Sequence, residues 1–141
     1  MSDPLRDIRH LRVDLAVGAL RGLAVAAEDL LGKAVQRAPL EEGTLRASAA
    51  IAYIVDGKRF EGSAALPAAE ALVRVTAART TIVNIEAEVS FNTVYAARQH
   101  EETQWQHPLA GEAKYLERPA LENAGRYRQV ILLSAAKSAR L

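Results

Sequence analysis

From Leu5 to about Ala38, apolar residues recur at spacings of three and four, and this stripe constrains the fold more than any other feature of the chain. Ile8, Leu11, Leu15, Ala19, Leu23, Ala27, Leu30 and Ala34 form it, and Leu20, Ala24 and Leu31 widen it on one side. The spacing predicts one long helix. Asp3 and Pro4 suit its start, because aspartate caps free N–H groups and proline fits the first helical position. Pro39 supplies the stop by disfavouring helical geometry at Ala38. Gly18 and Gly22 lie four apart within the stripe, where each costs up to about 1 kcal/mol of helix propensity against alanine. They either admit a close neighbour or mark a bend.

Beyond the turn Leu40-Glu41-Glu42-Gly43 the period changes to two. Leu45, Ala47, Ala49, Ile51, Tyr53 and Val55 alternate, which predicts a half-buried strand. Ala50, Ala52 and Ile54 occupy its other face, so that face is expected to be partly covered as well. Asp56 to Glu70, with Gly57, Gly62 and Pro67, reads as a long mobile hairpin loop, or Ser63 to Leu72 holds a short helix. Leu72 to Ala78 reads as a second strand, Val73, Val75 and Ala77 alternating with Arg74 and Thr76. The third strand has the strongest pattern: Val83, Ile85, Ala87, Val89 and Phe91 face one way, and Asn84, Glu86, Glu88, Ser90 and Asn92 the other. Val94 to Glu102 follows as a short helix, then Thr103 to Lys114 as a polar loop. Pro119 to about Ala139 closes the chain as a helix with Ala120, Ala124, Tyr127 and Ile131 on one face and Leu121 and Leu132 nearby. The expected architecture is a single α+β domain over residues 1–141. A long N-terminal helix packs on an antiparallel sheet of three to four strands, with a short helix and a C-terminal helix.

Composition narrows the function. A chain of 141 residues, half of them apolar, has enough hydrophobic material for one core and is not intrinsically disordered. Eighteen basic residues against seventeen acidic ones argue against a dedicated nucleic-acid binder, which normally carries a basic excess. With no cysteine, disulfides and thiol catalysis are excluded, and His, Asp and Glu remain as metal ligands. The N-terminus lacks the apolar core of a signal peptide. No apolar run approaches the roughly 20 residues needed to span a bilayer, so no membrane partner is expected.

One cluster merits testing as a reactive site: His100-Glu101-Glu102 with His107 and Glu112. Zinc hydrolases of the HExxH type place two histidines four apart on one helical face. Here His100 and His107 are seven apart, and Pro108 directly follows the second. An ordered polar loop is the better reading, and a small metal-dependent hydrolase using His100, Glu101 and His107 the alternative. There is no phosphate-cradling loop with its lysine and no GxSxG elbow. Glu86 and Glu88 fit a solvated strand face better than a catalytic pair. Arg37, Arg46, Arg59, Arg74 and Arg79 spell no motif; they suit a charged surface between subunits, with a nucleic-acid-binding accessory protein as the alternative. Trp105 and Tyr115 either anchor the polar loop to its own domain or serve as contact anchors. No cofactor is expected, and no enzymatic activity.

Two stretches carry a family likeness: RAPLEEGTLR over residues 37–46, and VYAARQHEETQWQHPLAGEAKYLERPA over residues 94–120. The frame consists of Pro39, Gly43, Leu45 and Arg46 in the first, and Tyr95, His100, Glu101, Tyr115 and Leu116 in the second. Together they resemble the minor capsid, neck and tail-completion proteins of long-tailed phages and prophages. Leu40-Glu41-Glu42 departs from that family's usual turn, and the middle loop, residues 56–70, is long.

The resemblance implies a structural virion protein, made in the host bacterial cytoplasm and placed at the head–tail junction. It would form a homo-oligomeric ring, a hexamer by expectation, as a neck, tail-completion or tail-terminator subunit. Its partners would be head-completion or connector proteins and a tail terminator or tail-tube protein. Nucleic acid enters only as DNA passing through the ring. The expected contact segments are a loop bearing Arg59, Phe60 and Glu61 and a second bearing Gln104, Trp105 and Gln106.

Overall fold

The apolar stripe of the N-terminal third forms a single helix, α1 (Pro4–Arg37). The computed structural model describes residues 4–37, 49–62, 66–78, 81–91 and 116–141. Three strands follow α1, β1 (Ala49–Val55), β2 (Lys58–Glu61) and β3 (Ile85–Phe91), with helix α2 (Leu66–Thr76) between the last two. Helix α3 (Glu117–Ser138) completes the fold. The architecture is α+β, as the periodicities predict.

The sheet has the order β2-β1-β3, with β1 antiparallel to both neighbours. On its inner face Tyr53 pairs with Phe60 on one side and Ala87 on the other, while Val55 pairs with Ile85. These side chains meet Leu20 of α1 and Ala71 and Val75 of α2 to form the core, flanked by Ala16, Val17 and Ala24. The inward set is the one that alternation assigns to β1 and β3, except that β3 begins at Ile85 and Val83, expected inward, is 86% exposed.

The segment after β1 differs from expectation in two ways. Asp56 and Gly57 form a two-residue turn rather than the start of a long loop. Both have positive φ, 46° and 84°, and the register places Val55 opposite Lys58. A two-residue turn with both φ positive matches the twist of paired strands, and Asp-Gly is a favoured sequence for it. The Asp56 carboxylate also accepts hydrogen bonds from the backbone N–H groups of Val83 (3.0 Å) and Asn84 (2.7 Å), tying the turn to the start of β3.

The second correction concerns Leu72 to Ala78, expected as a strand. Leu66–Thr76 is helical, so the short helix considered for Ser63 to Leu72 extends through the predicted strand. Pro67, Ala71 and Val75, four apart, face the core, and Val73 is 67% exposed where Val75 is fully buried. Ala68, Ala69, Glu70, Ala71 and Leu72 are strong helix formers, and three alternating apolar residues do not outweigh them. Topology also demands a crossover. Strands β2 and β3 lie on opposite edges and are parallel to each other, so the chain must cross β1, which a helix accomplishes.

Helix α3 packs antiparallel along α1, and their contact is the most extensive between any two elements. Gly18 and Gly22 face it directly. A Cβ at Gly22 would lie 2.8 Å from the Ile131 Cα and 2.9 Å from the Ser134 Cβ, so close approach, not a bend, explains the two glycines. Ala120, Tyr127 and Ile131 turn inward as expected, whereas Ala124 is exposed. The predicted helix over Val94 to Glu102 and loop over Thr103 to Lys114 lie outside the described residues.

Candidate assembly surfaces

Polar residues on the α1–α3 seam converge on one carboxylate. Asp29 Oδ2 accepts from Lys33 Nζ at 2.6 Å, Arg126 Nη2 at 2.5 Å and the Tyr127 hydroxyl at 2.5 Å. Lys33 Nζ also donates to Asn123 Oδ1 at 3.2 Å, and one turn further Arg37 pairs with Glu122 at 2.8 Å. Hydrogen bonds from Lys33 and then Tyr127 hold the Asp29 carboxyl down at about 2. Burial, followed by the Asp29 hydrogen bond, pushes the Tyr127 phenol up to about 12. The cluster fixes the pitch of α3 against α1 and leaves Asp29 ionised and Tyr127 protonated at neutral pH. Its groups are engaged with one another, which suits a rigid strut.

A second ionic device spans the outer face of the sheet. Arg59 on β2 donates from Nε to Glu61 at 2.8 Å and, in a two-pronged bond, from Nη1 and Nη2 to the Glu88 oxygens at 3.0 and 2.9 Å. Ala52 lies in register with both Glu61 and Glu88, so the guanidinium bridges the sheet above the small side chain of the central strand. That explains why Ala52 is buried on a face otherwise turned outward, and it bears out the expected partial cover of that face. A planar guanidinium matches two carboxylate oxygens at once, a geometry lysine cannot reproduce.

Arg59, Phe60 and Glu61 therefore belong to a strand and not to a projecting loop. Phe60, 8% exposed, is a core residue and is unavailable to a partner, while Arg59 and Glu61 remain on the exposed face. Strand alternation alone separates the three. Gln104, Trp105, Gln106, His100, Glu101, His107 and Glu112 lie outside the described residues, as do Pro39, Gly43, Leu45, Arg46, Tyr95 and Tyr115. Leu116, the residue before α3, helps line an apolar groove of about 620 Å³ between α1, β3 and α3, together with Leu23, Leu30 and Val89. Among the described residues, no three His, Asp or Glu side chains are arranged to hold a metal ion, and no helix is long and apolar enough to cross a membrane. Of the five arginines, Arg46 and Arg79 lie outside the described residues, and Arg37, Arg59 and Arg74 occupy three different surfaces: the α1–α3 seam, the outer sheet face and α2.

No family model, curated protein or solved structure matches the chain.

The surface that sequence reading missed is the outer side of α3. Leu121, Leu132 and Leu133 are 70%, 63% and 61% exposed. Leu121, Gly125 and Leu132 recur at helical spacing on the exposed side of the helix. The expectation that Leu121 and Leu132 lie near the buried face of Ala120, Tyr127 and Ile131 is therefore corrected: both are exposed, to one side of that face. Alanines and Tyr127 fill the buried side, leaving the leucines outside.

Proposed function

We propose that the chain is a structural subunit of a tailed-phage or phage-like particle. It assembles with copies of itself into a ring at the head–tail junction, and helps to join head to tail. The observation that carries this reading is the leucine stripe on the outside of α3. Leu121 and Leu132 stand eleven residues apart, about three helical turns, on one exposed face. Scattered exposed leucines are ordinary, but a stripe along one helix marks a surface that gains by being covered. Burying each leucine contributes roughly 1.5–3 kcal/mol. That side of α3 is the contact with the adjoining head-completion or tail protein. The two ionic devices support a rigid subunit, since they brace the helices and the sheet without leaving a reactive group. The place in the particle follows the resemblance of RAPLEEGTLR and of YAARQHE with KYL to neck and tail-completion proteins.

The test is made in the particle. Loss of the chain is expected to leave filled heads and separate tails in electron micrographs, and Leu121→Glu with Leu132→Glu to reduce joined particles while the chain stays folded. Normal joining without the chain sinks the reading.

A further inference from the structure

Two surfaces of opposite charge lie on different sides of the sheet. On the helix side, Arg9, His10 and Arg12 line a cleft of about 690 Å³ with Val13, Ala16 and Thr81. All three basic residues are exposed, and Arg12 Nη1 donates to the neutral Thr81 hydroxyl at 3.1 Å. Among the described residues the cleft has no carboxylate in its lining, and neither Arg9 nor His10 has an ionic partner. On the opposite side, among the described residues, Glu61, Glu86 and Glu88 share the outer sheet face with one cation, Arg59. Glu86 accepts only from the neutral Asn84 amide, at 2.9 Å. With Glu61 and Glu88 sharing one guanidinium, the described residues of this face carry a net excess of two negative charges.

We infer that the Arg9–Arg12 cleft of one copy receives the Glu61–Glu86–Glu88 face of the next copy. The inference rests on the ring reading above and names the faces that meet in it. A closed ring needs two different surfaces on each subunit that complement each other, because its contacts are head-to-tail. The cleft and the sheet face meet that condition in sign and in amount: two arginines face a net excess of two negative charges among the described residues. A net charge of only +1 keeps overall repulsion between copies small. Val13 and Ala16 give the cleft apolar walls, where ion pairs are less screened than on an open surface. Nucleic acid could use the arginines but would leave the carboxylate face without a role.

The experiment is sedimentation of the purified full chain over a range of concentration and salt. Wild type is expected to self-associate, less so at high salt. Arg9→Glu with Arg12→Glu, and separately Glu61→Lys with Glu86→Lys, should each weaken association by at least about tenfold. An equimolar mixture of the two variants should restore it, because each supplies the face the other lacks. Circular dichroism checks folding, and Arg9→Gln with Arg12→Gln replaces a reversal that unfolds. Wild-type-like association of either variant, or a mixture that stays dissociated, overturns the pairing while leaving the ring reading intact. So does loss of DNA binding by the arginine variant with self-association unchanged. A wild type that is monomeric throughout overturns the ring itself.

Discussion

Gly18 of α1 lies so close to Ser138 of α3 that a Cβ on the glycine would stand 2.5 Å from the serine Cβ. The same Cβ would lie 2.5 Å from the Ser134 carbonyl oxygen and 2.7 Å from the Ala135 Cα, which are backbone atoms that cannot swing aside. Helix propensity alone would favour alanine at this position by about 1 kcal/mol. Here the close contact reverses the sign. Gly18→Ala is expected to destabilise the protein by about 1–3 kcal/mol. Gly32→Ala, where nothing lies within 4 Å of the new methyl group, should stabilise it by about 0.5–1 kcal/mol. Urea unfolding of the two variants checks the opposite signs.

The Asp29–Tyr127 pair predicts losses of stability at both ends of the pH scale. The folded state holds Asp29 at about 2, below its ordinary 3.8, so its contribution is present above pH 4 and lost as pH falls towards 2. Tyr127 is raised from 10.0 to about 12, so its contribution is present below pH 10 and lost as pH rises through 12. Asp29→Asn should flatten the acid limb of a melting-temperature profile, and Tyr127→Phe the alkaline limb. Unchanged profiles would show that the seam does not depend on these charges.

Arg59 holds the Glu88 carboxyl below the usual carboxylate range, chiefly through its two hydrogen bonds. Arg59→Ala is expected to return the Glu88 titration, followed by carbon-detected NMR, to higher pH. Arg59→Lys should recover the shift only in part, because an ammonium cannot form the two-pronged bond.

At the β1–β2 turn, Gly57→Ala places a side chain at φ 84° and should cost about 1 kcal/mol. Asp56→Ala removes the acceptor for two backbone N–H groups and should cost about 1–3 kcal/mol, while Asp56→Asn keeps a carbonyl oxygen there and should cost less. Chemical denaturation distinguishes the three.

The candidate surfaces were only partly legible in sequence. Alternation places Glu86 and Glu88 on the outer face of β3, and the structure agrees. It could not show Arg59 reaching across β1 to Glu88, 29 residues away, because strand order is a long-range property. The Arg9–Arg12 cleft was equally hidden, since Thr81 and Ile82 approach α1 only after the crossover through α2.

Local sequence specified α1, β1, β3 and α3, because each carries an apolar period that one backbone geometry gathers onto a single face. Asp56-Gly57 specified its turn just as locally, through the φ that glycine tolerates. Tertiary structure decided the rest. Val73 and Val75 alternate as in a strand, yet become helical because β2 and β3 lie on opposite edges and the chain must cross between them. Gly18 and Gly22 are helix-weakening residues in sequence and become a site of close backbone approach once α3 lies on them. Leu121 and Leu132 are apolar and by composition belong inside. They remain outside because Ala26, Gly22 and Gly18 let α3 approach so closely that alanine, serine and Tyr127 fill the seam.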